Sequence, residues 1–288
     1  MRLPRGLLTL PPTAYVIALL LGPIVLIALY SVNLRSQYPG VPTTFSTSNW
    51  HDFLFGSNNP FRDRFKSSMI ITLIVSLGAV IAAYPVAYYL AFVARHRRYT
   101  LLLLILAPFF TSYLLRVIAW RIILSNNGVV DWVIWHLHIE PYGHSPSWLI
   151  YSYFSVGLVL FYTWVPFVAL PIFVVLENMD RRVLEAAHDL GANGFSAFLR
   201  VTFPLSFSGV MAGFVFVLIP TTGEFIAPLL VGGPDNYMFG NAIQSLFSNS
   251  ADWNYGSVLA LWLVFVVVIL MIVFGRWLSA DTQGTRTR

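Results

Sequence analysis

One carboxylate stands where carboxylates are rare. Glu224 follows a stretch, Val201 to Gly223, without any Asp, Glu, Lys or Arg. A charge in such a segment is costly unless it faces protein, a partner charge or a water-filled path. Around it, Pro220, Thr221, Thr222, Gly223 and Pro228 interrupt helical hydrogen bonding and free backbone carbonyls. A carboxylate, carbonyls and nearby aromatics suit an organic cation through charge and cation–π contact. Glu224 is therefore a candidate lining residue of a translocation path. Arg116 is the competing partner, because a guanidinium at similar depth would simply neutralise it as a buried pair. Tyr113 and Trp120 lie about one helical turn to either side of Arg116. Both are candidates for the same path, with Trp120 alternatively an interfacial anchor.

Other chemistries lack their residues. His136 and His138 are two apart, which on a helix points them to different faces, so no metal site is expected. There is no His-Glu-x-x-His, no paired carboxylate within the apolar segments, and no Ser-Lys or Ser-His pair at matching depth. The glycine-rich elements lack the Gly-Lys-Ser/Thr phosphate cradle, so the chain is not expected to hydrolyse ATP or to hold a cofactor. With no cysteine, disulfides, thiolate metal sites and Cys nucleophiles are excluded. No catalytic residue is expected.

The elements that must carry these residues are membrane helices. The 288 residues are 57% hydrophobic and 10% charged, with a mean hydropathy of +0.72. A soluble domain has about 25% charged residues, and so little charge does not cover a water-facing surface. Crossing the hydrocarbon layer takes about 20 apolar residues. Six spans result, near 13–33, 67–94, 100–123, 148–176, 206–231 and 256–277. Arg2, Arg5, Arg95, Arg97, Arg98, Arg181, Arg182, Arg200, Arg276, Arg286 and Arg288 fall on one side of them. Arg35, Arg62, Arg64, Lys66, Arg116 and Arg121 fall on or near the other. The positive-inside rule makes the first side cytoplasmic and puts both termini there. The net charge of +5 thus reports topology rather than nucleic-acid binding. At about 1.5 Å per residue, Glu224 lies roughly 30 Å and Arg116 roughly 24 Å from the inner face. Pro166 and Pro171 in the fourth span imply a gating kink or a static bend, and Gly78, Ala79, Ala82, Ala83 and Ala87 in the second imply close helix packing. Turn residues punctuate the outer connections at Pro39-Gly40, Asn58-Asn59-Pro60, Asn126-Asn127-Gly128 and Gly232-Gly233-Pro234. Val129–Ile139 has the make-up of a short interfacial helix.

One inner connection, 177–204, differs from the rest. It gathers Glu177, Asp180, Glu185 and Asp189 beside Arg181, Arg182 and Arg200. Asp180 is placed to cap a helix over Val183–Leu190, Gly191 to end it in the left-handed conformation, and Phe195–Arg200 to form a second turn that stops before Pro204. The residues read Glu185-Ala186-Ala187-x-x-x-Gly191, then Val201-x-Phe203-Pro204. This resembles the EAA loop of bacterial ABC importer permeases: Glu-Ala-Ala, three residues, Gly, nine residues, an aliphatic residue and a proline. The resemblance implies that Glu185, Ala186, Ala187, Asp189, Gly191 and Pro204 belong to a coupling helix that docks into a groove on an ATPase subunit.

More of the chain, from about Ser67 to Trp277, is similar to the spermidine/putrescine-type permeases. The similarity rests on Pro108 through Trp120 with Asn127-Gly128, on Gly223-Glu224-Phe225 with Leu230-Val231-Gly232-Gly233-Pro234, on Gly240-Asn241-x-Ile243, and on Asp252-Trp253-x-x-Gly256-Ser257. Permeases for sulfate, molybdate and ferric iron carry similar Gly-Glu-Phe segments.

The fold implied is an all-α integral membrane protein of six transmembrane helices with a cytoplasmic coupling helix, similar to type I ABC importer permeases. Its division would be 1–66 (cytoplasmic tip, first helix, external loop), 67–277 (core permease domain) and 278–288 (cytoplasmic tail). The function implied is a permease subunit in the bacterial inner membrane. It would work with a dimeric ABC ATPase that binds ATP and Mg, a second homologous permease, and an extracytoplasmic substrate-binding protein that delivers to loops 34–66, 124–147 and 232–255. Polyamines are the expected substrate; sulfate, iron or an opine-like solute is the alternative. A proton-coupled secondary transporter titrating Glu224 is the more distant one.

Overall fold

The computed structural model describes residues 5–34, 44–94, 96–137, 146 and 148–284, with side chains over 15–34, 44–94, 96–137, 146 and 148–276. The Pro39-Gly40 turn, His138 and the greater part of the 138–147 connection lie outside the described residues. Among those described, every regular element is helical. The order is α1 (Arg5–Ser31), α2 (Ser48–Phe55), α3 (Pro60–Tyr88), α4 (Arg98–Leu106), α5 (Tyr113–Leu124), α6 (Val129–His136), α7 (Tyr153–Glu177), α8 (Arg181–Asp189), α9 (Gly194–Ala197), α10 (Phe203–Thr222), α11 (Phe239–Ser248) and α12 (Trp253–Gly284). Wide π-type turns over Tyr89–Val93, Phe198–Thr202 and Pro228–Gly232 prolong α3, join α9 to α10, and close the segment after α10.

Among the described residues, five helical stretches are long and apolar enough to span a bilayer: Pro60–Val93, Tyr113–His136, Tyr153–Glu177, Gly194–Thr222 and Trp253–Arg276. Arg98–Phe110 is apolar but shorter, and in the 27-residue helix α1 the part with described side chains, Tyr15–Ser31, is apolar throughout. The expected third span at 100–123 is therefore not one continuous helix. Pro108 has no N–H to donate along the ladder, the chain tightens into a 3₁₀ turn over Ala107–Phe110, and Thr111 and Ser112 are extended, with ψ of 153° and 136°. Helix resumes only at Tyr113. The turn after Gly191 also departs from expectation, since it does not stop before Pro204. The Phe198–Thr202 π-type turn re-registers the ladder, Phe203 N donating to the Phe198 carbonyl. That sets Pro204 at the start of the next ladder, where its missing donor costs little.

The chain divides into two compact units. In the first, Met1–Arg64 with Ala242–Val266, Tyr255 Oη donates to Asp52 Oδ2 at 2.9 Å and accepts from Asn59 Nδ2 at 2.7 Å. These bonds tie α2 and the turn after it to the start of α12.

The second unit, Phe65–Asn241 with Val267–Arg288, holds the hydrophobic core. Ala79, Ala83 and Ala87 recur every four residues on α3 and are fully buried, while Ile74, Leu77 and Ile81 on the same helix are exposed. Apolar residues on both faces are what a helix between protein and lipid requires. α7 continues through Pro166 and Pro171 and packs on α10 with little side chain between them. A Cβ on Gly209 would lie 2.8 Å from the Pro171 carbonyl oxygen, and one on Gly213 would lie 2.9 Å from Val168 Cγ1. Gly209→Ala should therefore destabilise the bundle by about 1–3 kcal/mol through overpacking, seen as a lower Tm of the purified chain. Gly157→Ala, where the nearest atom is 3.9 Å away, should leave Tm unchanged or raised.

Candidate functional site

The two helix breaks open onto one space. The first, at Thr111–Ser112, is held by Thr111, whose Oγ1 donates to the Pro108 carbonyl at 2.6 Å. The second follows α10, where Gly223, Glu224 and Phe225 leave the helix before it restarts at Ile226. A cavity of about 430 Å³ lies between them, lined by Phe109, Thr111, Tyr113, Arg116, Thr163, Trp164, Phe167, Phe216 and Glu224. Three of the four expected path residues, Tyr113, Arg116 and Glu224, meet there. Trp120 does not line it; its ring packs edge-on to Tyr162 at 5.3 Å.

Glu224 is held by its own backbone. Its Oε1 accepts from the N–H groups of Phe225 (3.1 Å), Ile226 (2.8 Å) and Ala227 (3.3 Å). The carboxylate thus caps the short helix that follows and sits at its positive end. This gives the charge a partner that is not Arg116. The Arg116 guanidinium lies over the Phe109 ring at 4.4 Å, with Tyr113 at 5.9 Å, and its Nε and Nη1 have no hydrogen-bond partner. The two charges share the cavity, and among the described residues no ion pair joins them.

Two further residues fix the break. Asn241 is buried, its Nδ2 donating to the Phe225 carbonyl at 2.7 Å and its Oδ1 accepting from Met238 N at 3.1 Å. Its side chain satisfies a carbonyl that the broken helix leaves without a partner. Gly240 lies against the break itself: a Cβ there would be 2.6 Å from the Gly223 oxygen and 2.7 Å from the Glu224 oxygen. The sequence marks Gly240-Asn241 only through family resemblance, because no local pattern reports a contact with backbone 16 residues earlier. Gly240→Ala should displace the break and cost about 1–3 kcal/mol. Lower Tm together with reduced transport is expected, and a conservative Asn241→Asp should impair less than Asn241→Leu. Thr163, Trp164, Phe167 and Phe216 were also not singled out, since on sequence they read as ordinary span residues.

The 177–204 loop is a built element. Asp180 Oδ1 accepts from Arg182 N at 3.0 Å and caps α8. At the other end, Gly191 has φ +84°, Gly191 N donates to the His188 carbonyl (2.9 Å) and Ala192 N to the Ala187 carbonyl (3.0 Å), the paired bonds of a Schellman motif. Asn193 Oδ1 then caps the next helix, accepting from Ser196 N at 2.8 Å. Glu185, Ala186, Asp189 and Gly191 are exposed, Ala187 is partly so, and Leu190 is 89% exposed. The loop is anchored at its base. Arg98 Nη2 lies 2.8 Å from Glu177 Oε1, Tyr99 Oη donates to the same oxygen at 2.6 Å, and Arg181 Nη2 donates to the Ala91 carbonyl at 3.3 Å. His136 stacks on Trp132 at 5.1 Å. Among the described residues no cluster of three His, Cys, Asp or Glu side chains could hold a metal.

The chain is similar to known proteins. The spermidine/putrescine transport system permease protein PotB of Escherichia coli (strain K12) is 32% identical over 73% of this chain and 75% of its own length. The inner membrane ABC transporter permease protein YdcU of the same organism is 31% identical over 74% of this chain and 70% of its own. Among solved structures, a bacterial alginate ABC transporter in complex with an alginate pentasaccharide-bound periplasmic protein superposes with a TM-score of 0.72 at 14% identity, over 93% of this chain and 91% of that one. At that identity the likeness is one of fold. The family model described as "Binding-protein-dependent transport system inner membrane component" matches residues 61–283. The chain is thus a multi-pass inner-membrane permease subunit of an ABC importer, and it belongs to the binding-protein-dependent transport system inner membrane component family.

Proposed function

We propose that the chain forms one half of the translocation channel of an importer for polyamines, driven by ATP hydrolysed on a separate subunit. One observation carries the reading. Two broken helices meet at an aromatic cavity whose acidic member, Glu224, is held by backbone N–H groups through Oε1 and brings a negative charge to an amine. Relatives whose names specify spermidine and putrescine support the choice of solute.

A substrate-binding protein delivers solute on the side of the helix breaks, and a second, homologous permease completes the channel. At the opposite end, α8 is the coupling helix, with Glu185, Ala186 and Asp189 exposed on it, Ala187 partly so, Gly191 ending it, and Pro204 near the start of α10, which leads to the break at Glu224. Closure of an ATPase dimer around ATP and Mg moves α8. The bonds of Glu177 and Arg181 at its base pass the displacement to the start of α4 and to the π-type turn that prolongs α3, shifting the population between inward-open and outward-open states. Both termini and α8 lie on the cytoplasmic side. Uptake of labelled spermidine, putrescine, sulfate and ferric iron, compared in cells with and without the chain, tests the solute. Polyamine uptake that depends on the chain is expected. Sulfate or iron uptake without polyamine uptake would overturn it.

A further inference from the structure

A buried hydroxyl in the wide turn before α10 has nothing to bond. Thr202 is 1% exposed, and among the described residues its Oγ1 finds no hydrogen-bond partner. Buried polar atoms without partners are uncommon in folded proteins and call for a reason. A helical threonine ordinarily bonds its hydroxyl to the carbonyl three or four residues back. Four residues before Thr202 that carbonyl belongs to Phe198, and Phe203 N takes it, five residues on. The idle hydroxyl goes with the register of the Phe198–Thr202 turn.

Little separates this register from the ordinary one. Phe198, Thr202 and Phe203 all keep helical dihedrals, with φ of −59°, −65° and −64°. Single π-type turns within helices are frequent at functional sites. The two sides of this one are held differently. On the α10 side, Ser206 Oγ and Tyr84 Oη of α3 share a hydrogen bond at 2.8 Å, and Gly209 and Gly213 seat α10 on α7. On the α9 side, Phe198 meets Tyr84 and Tyr88 through ring edges, at 5.5 and 6.3 Å, and such contacts can slide. A hollow of about 560 Å³, lined in part by Phe198, Leu199, Phe203 and Tyr84, gives the rings room to move.

Resting on the reading of α8 as the coupling helix, we infer that this turn has two registers and that Thr202 sets the balance between them. In the register of this structure the hydroxyl is idle. In the other, reached when the ATPase draws α8 and α9, the turn tightens to the α-helical ladder. Phe203 N releases the Phe198 carbonyl, and Thr202 Oγ1 donates to it. One residue of register turns α8 and α9 by up to about 100° against α10 and shifts them about 1.5 Å along its axis. The stroke of α8 thereby reaches α10, which leads to the break at Glu224, by a route separate from Glu177 and Arg181. Thr202 is a positioning residue, acting through α10 and touching no solute.

Thermal unfolding of the purified permease–ATPase complex in lipid nanodiscs, without nucleotide and after trapping with ATP, Mg and orthovanadate, tests this. Thr202→Val keeps the shape of the side chain and removes the hydroxyl. It should leave the Tm of the nucleotide-free complex unchanged or raised, since an idle buried hydroxyl contributes nothing there, and lower the Tm of the trapped complex. ATP hydrolysis should fall about threefold to tenfold, the worth of one hydrogen bond made in one of two states. Thr202→Ser, which restores the hydroxyl, should recover both the trapped-state Tm and the hydrolysis. A lower Tm of the nucleotide-free complex, equal shifts in the two states, wild-type hydrolysis by Thr202→Val, or no recovery in Thr202→Ser overturns the inference. The coupling reading fails by a different signature, wild-type import by Gly191→Val, whatever the Thr202 variants do.

Discussion

Glu224→Ala should cut import by at least about tenfold, and Glu224→Gln should recover the stability but not the transport. The two variants separate two roles of the side chain. Alanine removes the acceptor for the N–H groups of Phe225, Ile226 and Ala227, and loss of such a cap costs about 0.5–2 kcal/mol. Glutamine keeps an oxygen to accept those bonds and removes only the charge. If Glu224 served the cap alone, glutamine would restore both Tm and uptake. The cavity geometry predicts otherwise: Glu224 lines a space shared with aromatic rings and Arg116, so a neutral side chain cannot hold an ammonium there. Initial uptake rates and Tm values of the two variants, measured side by side, check this. Wild-type uptake by Glu224→Gln would remove Glu224 from the path.

The second large effect is expected at the other end of the molecule. Gly191 has φ +84° and no atom within 4 Å of where its Cβ would be. A substitution there meets no neighbour, so its effect is on the backbone alone. A left-handed conformation costs an ordinary residue about 1–2 kcal/mol, and a β-branched one more. Gly191→Val should therefore open the Schellman turn and misalign α8 while leaving the bundle folded. Solute-stimulated ATP hydrolysis and import should fall together by about tenfold or more, with Tm lowered only slightly; Gly191→Asn, which tolerates this conformation, should retain most activity. Import unaffected in Gly191→Val would show that α8 does not need its native ending to couple.

The sequence was most informative where function places a charge or a special backbone angle in an otherwise apolar chain. Glu224 stood out because a lone carboxylate in a span needs a reason, and Asp180 and Gly191 because helix ends have few chemical solutions. The small residues Ala79, Ala83 and Ala87, four apart in the second span, were likewise legible as packing. The break of the third span was not, although Pro108 lies within it. Hydropathy counts apolar residues without registering their dihedrals, and Thr111 and Ser112 are compatible with a helix as well as with an extended link. Pro204 misled in the opposite direction. A proline usually stops a helix, but the Phe198–Thr202 π-type turn absorbs the register change and lets the helix pass. The walls of the cavity were also hidden. Thr163, Trp164 and Phe216 acquire meaning only once α7 and α10 are packed, and the partner of Arg116 was the Phe109 ring rather than the carboxylate that shares its cavity.

The most direct test of ATP-driven import through this chain is transport into proteoliposomes that contain the permease pair and its ATPase, with binding protein and labelled putrescine added outside. Uptake should require ATP inside, persist when a protonophore collapses the proton gradient, and fall by about tenfold or more when the chain carries Gly191→Val. Uptake that continues without ATP and stops with the protonophore would contradict it and identify a proton-coupled carrier instead.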